Sequence, residues 1–241
     1  MAEVFAWADG RVLKLDRPEW NGVAVMEAAV LATVTDAGVP APRPYETVVV
    51  DGRHGVVMDR IDGSILSDVV AGDLELLAAT WTEMHRAVNA RVVSGLPNLV
   101  ASMADGIAAC GLEPGLRQEL IELLASIDDG ERVLCHFDLH PGNVIVGPRG
   151  WVIIDWLSAS AGPSIADFAR SLVLRPPGRD SAEARFMACV LQAGIAARDL
   201  DRARVDAWIR VIAAARISEG FTGADARALA GLARGDRRID D

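Results

Sequence analysis

The chain has 241 residues and a formal net charge of −10, with 51% hydrophobic and 24% charged residues. That length allows one large domain or two small lobes with a buried core, and the balance excludes a disordered, collagenous or coiled-coil chain. A pI near 4.9 argues against a general nucleic-acid binder, which needs a basic face to meet phosphates. In chain order, Glu3–Trp7 and Arg11–Leu15 alternate about Asp9-Gly10 and read as a hairpin. Residues 23–37 lack Gly and Pro and read as a helix carrying one glutamate, Glu27, which Gly38 and the prolines at 40, 42 and 44 end. Thr47–Val50 and Gly55–Met58 form a second strand pair around Asp51-Gly52.

After Ile61-Asp62-Gly63-Ser64 the pattern turns helical. Helices are expected over 73–90, 114–127, 164–174, 181–198, 202–218 and 223–234. A β insert interrupts them: Val133–Phe137, then Asn143–Val146, a Gly-Pro-Arg-Gly turn, and Trp151–Ile154. The expected organisation is a small β-rich lobe with hinge over 1–62 and a larger helical lobe over 63–241. Cys110, Cys135 and Cys189 are too widely spaced for a zinc pattern or a disulfide framework, so a reducing cytoplasm is expected. The segment MAEVFAWADG lacks the marks of a signal peptide, and no apolar run is long enough to span a bilayer, so no membrane partner is expected.

The chemistry concentrates in Val133–Val146 and Val152–Trp156, which order His136, Asp138, Asn143 and Asp155. A hairpin between Asn143 and Asp155 brings an amide oxygen and a carboxylate together, a pairing suited to a hard cation such as Mg²⁺. Asp138 sits on the loop entering that hairpin, where it can orient a hydroxyl and accept its proton. Lysine occurs once, at Lys14, against 23 arginines. A compact, flexible ammonium differs chemically from guanidinium, so this survivor is a candidate functional group, with codon bias as the bland alternative.

His136-x-Asp138-x-x-x-x-Asn143 followed by Ile154-Asp155-Trp156 resembles the catalytic and metal loops of the aminoglycoside phosphotransferase and choline-kinase-like family. Val12-Leu13-Lys14 resembles that family's lysine strand, Glu27 its helix glutamate, and Val57–Gly63 the segment joining its lobes; the resemblance fades near Leu172. It implies an α+β, two-lobed protein-kinase-like fold with the site in the cleft between lobes. It implies ATP, with GTP as the other donor, and Mg²⁺. Lys14 would touch the phosphates with Glu27 holding it, and Asn143 and Asp155 would bind the metal. Asp138 would face the acceptor hydroxyl. The backbone of residues 58–61 (Met58, Asp59, Ile61) would meet the adenine edge, with Val12, Val57 and Ile154 as apolar walls. His136 and Asp167 would support the catalytic loop, and His140 and Trp156 would lie near the acceptor, although a loop hydrogen bond is an equal reading for His140. The family places a strand and a phosphate-covering loop ahead of the strand at 3–7. Only Met1 and Ala2 precede it here, so that first strand and loop are expected to be missing.

The implied function is transfer of the ATP γ-phosphoryl to a hydroxyl of a small molecule. An aminoglycoside or other cationic antibiotic is the leading acceptor, which would make this a resistance enzyme. A metabolic kinase for a sugar, choline or amino alcohol, and a nucleotide-binding pseudokinase, are the alternatives. Asp199, Asp201, Asp206, Glu219 and Asp225 could rim a cationic acceptor, but the interspersed arginines favour a solvated face. Trp81, Trp151, Trp156 and Trp208 read as core, Trp156 having the best claim among them to line a cleft; His85 reads as a packed histidine and His54 as solvated.

Overall fold

The structure is a computed structural model and describes residues 2–69, 74–174 and 182–236. Positions 73 and 181, expected as the first residues of two helices, lie outside the described residues. Two compact units emerge: residues 1–69 with 138–159, and residues 70–137 with 160–241.

In the first unit, β1 (Ala2–Trp7), β2 (Arg11–Asp16), β3 (Pro44–Val50) and β4 (Arg53–Asp59) form an antiparallel sheet in the order β1-β2-β4-β3. Both turns expected from Asp-Gly are present, with Asp9 and Gly10 at φ 57° and 71°, and Asp51 and Gly52 at φ 52° and 77°. Alternation gives the sheet two faces. Leu13, Leu15 and Val57 pack on one face with Val48 and Val50. Helix α1 (Val23–Asp36) packs against β2, β3 and β4.

The entry to α1 is fixed from the strand that carries Lys14. The Asp16 carboxylate, 2% exposed, accepts the backbone N–H groups of Gly22 at 2.8 Å and Ala24 at 3.0 Å. Free N–H groups at a helix start need such a partner. One buried carboxylate therefore ties the end of β2 to the first turn of α1.

Residues 138–159 were expected with the helical lobe, yet they cluster with the sheet. The reason is local pairing. β5 (Ser64–Ile65) pairs with β7 (Val144–Gly147), which pairs with β8 (Gly150–Ile153), and the Ile153 N–H bonds to the Pro40 carbonyl at 2.9 Å. Backbones approach closely there: a Cβ on Gly147 would strike the Asp62 carbonyl, and one on Gly63 the Val146 carbonyl. The short α2 (Leu66–Val69) follows β5.

The second unit holds α3 (Leu74–Asn89), α4 (Leu99–Ala109), α5 (Pro114–Ile127), β6 (Val133–Cys135), β9 (Ser160–Gly162), α6 (Ser164–Val173), α7 (Ala182–Arg198), α8 (Arg202–Ile217) and α9 (Gly223–Arg234). β6 and β9 form an antiparallel pair. Sequence reading missed α4, whose N-cap is Asn98, its side chain accepting the Ala101 N–H at 3.1 Å. α6 is buried from Ile165 to Val173, and α8 packs against α4, α5, α6 and α9. Trp81 and Trp208 are core residues, as expected. No described helix is long and apolar enough to cross a membrane.

Beneath α6 lies a buried polar group. His85 of α3 places Nε2 3.1 Å from Ser171 Oγ and Nδ1 3.4 Å from Asp167 Oδ2. Burial lowers the His85 pKa from its ordinary 6.5, against the pull of Asp167. Burial alone would raise the Asp167 pKa. Contacts with His85, Asn89 and the Phe137 N–H overcome it and hold the carboxyl at about 2.

Two predictions follow from these contacts. Asp16→Ala orphans the N–H groups of Gly22 and Ala24 and should cost about 1–2 kcal/mol in urea unfolding; an unchanged midpoint would refute the tie between β2 and α1. His85 has a depressed native pKa, so the unfolded chain takes up its proton first and stability falls as the pH drops through 6.5. Asp167 adds stability above 3.8 that is lost as the pH falls through about 2. His85→Gln should therefore flatten the stability profile between pH 7 and 5 relative to wild type, and parallel profiles would contradict the assignment.

Candidate functional site

The site is built in the first unit, around Lys14. Val4, Val12, Lys14 and Met58 occupy one face of the sheet, because Val4 pairs with Lys14 and Val12 with Met58. Across from them α1 presents Glu27 and, one turn later, Leu31. These residues, with Pro42, Asp59, Arg60, Ile61, Ile145, Ile154 and Asp155, line a cavity of about 360 Å³.

Lys14 Nζ lies 2.7 Å from Glu27 Oε1 and 3.3 Å from Asp155 Oδ1. The Lys14 side chain is 18% exposed, Glu27 3% and Asp155 34%, so the pair is shielded on the helix side and open on the Asp155 side. Burial works against the Lys14 charge, but Glu27 and Asp155 more than offset it and raise its pKa above 10.5. Burial pushes the Glu27 carboxyl up, against the pull of Lys14. The ammonium thus stays charged at neutral pH, held at a fixed point of the cavity wall.

The hairpin β7–β8 supplies the remaining polar groups. Across its base the Ile154 N–H bonds to the Asn143 carbonyl at 2.9 Å, which sets Asn143 beside the strand end that leads to Asp155. Asp155 itself is left-handed at φ 62°, a conformation aspartate tolerates better than most residues. The Asn143 amide Nδ2 donates to the Asp138 carbonyl at 2.9 Å and to Asp138 Oδ2 at 3.2 Å. With the amide nitrogen so engaged, the amide oxygen is the Asn143 atom that could serve a cation. Glu27, Lys14 and Asp155 thus form one polar group and Asn143 and Asp138 another, joined by the backbone bond from Ile154 to Asn143.

The donor set fits a hard divalent cation. Asn143 offers an amide oxygen and Asp155 a carboxylate, while among the described residues no group of three His, Cys, Asp or Glu could hold a metal alone. Such a site suits Mg²⁺, which keeps waters and takes further ligands from phosphate.

The structure redistributes several expected residues. Val12, Met58, Asp59, Ile61 and Ile154 line the cavity, but Val57 does not. Val57 pairs with Leu13 on the opposite face of the sheet and belongs to the core cluster, so it is no wall of the cavity. Trp156 was expected near the acceptor. It is instead fully buried, its indole N–H donating to the Ile153 carbonyl at 2.8 Å. His140 Nδ1 accepts the Gly142 N–H at 3.1 Å, the loop reading of that residue. His136 is fully buried in the second unit, and there Asp167 Oδ1 accepts the Phe137 N–H at 2.8 Å. Three of the five acids in the last helices meet arginines or a helix start. Asp206 bonds Arg202, Glu219 bonds Arg170 and Arg216, and Asp201 accepts the Ala203 N–H.

Sequence reading missed Val4, Leu31, Pro42 and Ile145 among the lining residues. Strand register opposite Lys14 would have found Val4, and the i+4 spacing from Glu27 would have found Leu31.

Comparison with known proteins places the fold. Among solved structures, the aminoglycoside phosphotransferase APH(3'')-Id from Streptomyces rimosus, in complex with ADP and streptomycin, superposes with a TM-score of 0.57 at 21% identity, covering 88% of this chain and 89% of that one. The amicoumacin kinase hAmiN, in complex with AMP-PNP, Ca²⁺ and Ami, gives 0.63 at 14% identity over 100% and 88%. A choline/ethanolamine kinase family protein from Mesorhizobium loti gives 0.65 at 17% identity over 98% and 84%. The chain therefore has an α+β, protein-kinase-like fold. No curated protein gives a match. A sequence profile described as "Phosphotransferase enzyme family" (APH) matches residues 3–217, well past Leu172, and the chain belongs to that family.

Proposed function

We propose that this protein transfers the γ-phosphoryl group of ATP to a hydroxyl of a small molecule, with Mg²⁺ as the metal. The observation that carries the reading is the meeting of Lys14, Glu27 and Asp155 on the wall of an apolar cavity, linked through the β7–β8 hairpin to Asn143 and Asp138.

Phosphoryl transfer needs charge neutralisation and placement more than covalent help. The base of the nucleotide fits between Val12, Met58 and Ile154, with the backbone of residues 58–61 at its edge. Lys14, fixed by Glu27, neutralises the phosphates. Asn143 and Asp155 would hold the metal, which supplies positive charge to the phosphate oxygens when bound. Asp138 orients the acceptor hydroxyl and takes its proton. His136 and Asp167 keep the loop before Asp138 in shape. ATP is the proposed donor, with GTP as the alternative.

For the acceptor, an aminoglycoside or another cationic antibiotic is the leading class, supported by the streptomycin-bound relative and by the net acidity of this chain. The choline/ethanolamine kinase relative supports the second class, a metabolic sugar, choline or amino alcohol. Because Asp206 and Glu219 are paired with arginines, they lend a cationic acceptor little support.

The test is ATP turnover with Mg²⁺ against a panel of aminoglycosides, sugars and amino alcohols, for wild type and Asp138→Asn. Loss of the proton acceptor should lower kcat by about 10²–10⁴-fold while ATP binding changes little. Nucleotide binding without turnover on any acceptor, by wild type, would favour the pseudokinase instead.

A further inference from the structure

Phe137 immediately precedes Asp138 in the chain, and its backbone is unusual. At φ 58° it is a bulky residue in the left-handed region, where such side chains rarely sit. Both peptide planes that flank its Cα are held by side chains of α6. The Phe137 N–H, part of the plane shared with His136, donates to Asp167 Oδ1 at 2.8 Å. The Phe137 carbonyl, part of the plane shared with Asp138, accepts from Arg170 Nε at 3.2 Å. Asp167 and Arg170 are three residues apart and so project from the same face of the helix.

Arg170 does more than donate one hydrogen bond. Its guanidinium carbon stands 4.9 Å from the centroid of the Phe137 ring, within cation–π range. Its side chain is only 8% exposed, and Nη1 is anchored by Glu219 Oε1 at 2.7 Å. Glu219 lies just beyond α8 and receives Arg216 Nε on its other oxygen at 3.3 Å. The arginine is thus fixed at both ends.

The two torsions of Phe137 are the only soft angles between the clamped planes. Asp167 fixes the first plane and leaves the second free to rotate. We propose that Arg170, anchored by Glu219, is a positioning residue: it holds the plane between Phe137 and Asp138, keeps Phe137 left-handed, and so sets the direction in which the chain enters Asp138. This rests on the reading of Asp138 as the acceptor of the hydroxyl proton.

The experiment compares wild type, Arg170→Met, Arg170→Lys and the double variant Arg170→Met with Phe137→Gly. It reads kcat and KM for Mg²⁺–ATP with water as the phosphoryl acceptor, thermal midpoints, and the φ angle of residue 137 in crystals. Arg170→Met should lower kcat at least ten-fold with KM within about three-fold, and residue 137 should leave the left-handed region. Arg170→Lys, which keeps the charge but lacks the Nε donor, should fold and lose kcat to a lesser degree. Glycine adopts positive φ without strain, so the double variant should regain most of the lost kcat even though its packing is poorer. Unchanged kcat with only a lowered thermal midpoint would overturn the proposal. So would a double variant no better than Arg170→Met, or a φ that stays near its wild-type value. A wild type that turns over ATP neither with water nor with any acceptor of the panel would overturn the reading of Asp138 and the positioning role with it, while the φ angle would still decide whether Arg170 holds the backbone.

Discussion

The candidate site depends on one ammonium group and the two carboxylates that fix it. Lys14 reaches Glu27 on α1 and Asp155 at the end of the β7–β8 hairpin, so a single charge joins three elements far apart in sequence. Beside the Val, Leu, Met and Ile side chains that make up much of the wall, that charge would be costly without partners. With them, it becomes a fixed positive point on the wall of the cavity. The Asp16 contacts to the start of α1 serve the same end, since they hold the helix of Glu27 to the strand of Lys14.

A second theme is that the loop before Asp138 is shaped from α6. Asp167 is ionised though wholly buried, which its contacts with His85, Asn89 and the Phe137 N–H make possible. Arg170 and Glu219 add a matching hold on the Phe137 carbonyl. A strained residue persists only where its surroundings over-determine it, and Phe137 has a partner for each of its backbone polar groups and for its ring. The family resemblance pointed to Asp167, whereas nothing in the sequence pointed to Arg170 or Glu219 as its counterpart.

Local signals carried most of what the sequence revealed. Asp-Gly turns placed both hairpins, and the absence of Gly and Pro placed α1 to within a residue of its end. The order of His136, Asp138, Asn143 and Asp155 pointed to a candidate site because those residues lie on one loop and one hairpin. Long-range facts were harder to read. The hairpin joins the first unit through the β5–β7 pairing and the Pro40–Ile153 bond, neither of which has a sequence signature. Val57 and Trp156 were misplaced for a simpler reason: a one-residue step along a strand, or past its end, reverses the face that a side chain presents. The register of Val4 against Lys14 would have corrected part of this.

The central claim is that Lys14, Asp155 and Asn143 form a site for a metal-bound triphosphate. Calorimetric titration of wild type and Asp155→Asn with ATP, in Mg²⁺ and in a chelator, tests it most directly. The account predicts that Mg²⁺ tightens ATP binding to wild type and that the variant loses most of this metal-dependent gain. Equal affinity with and without Mg²⁺ in wild type, or a gain that survives in Asp155→Asn, would contradict it.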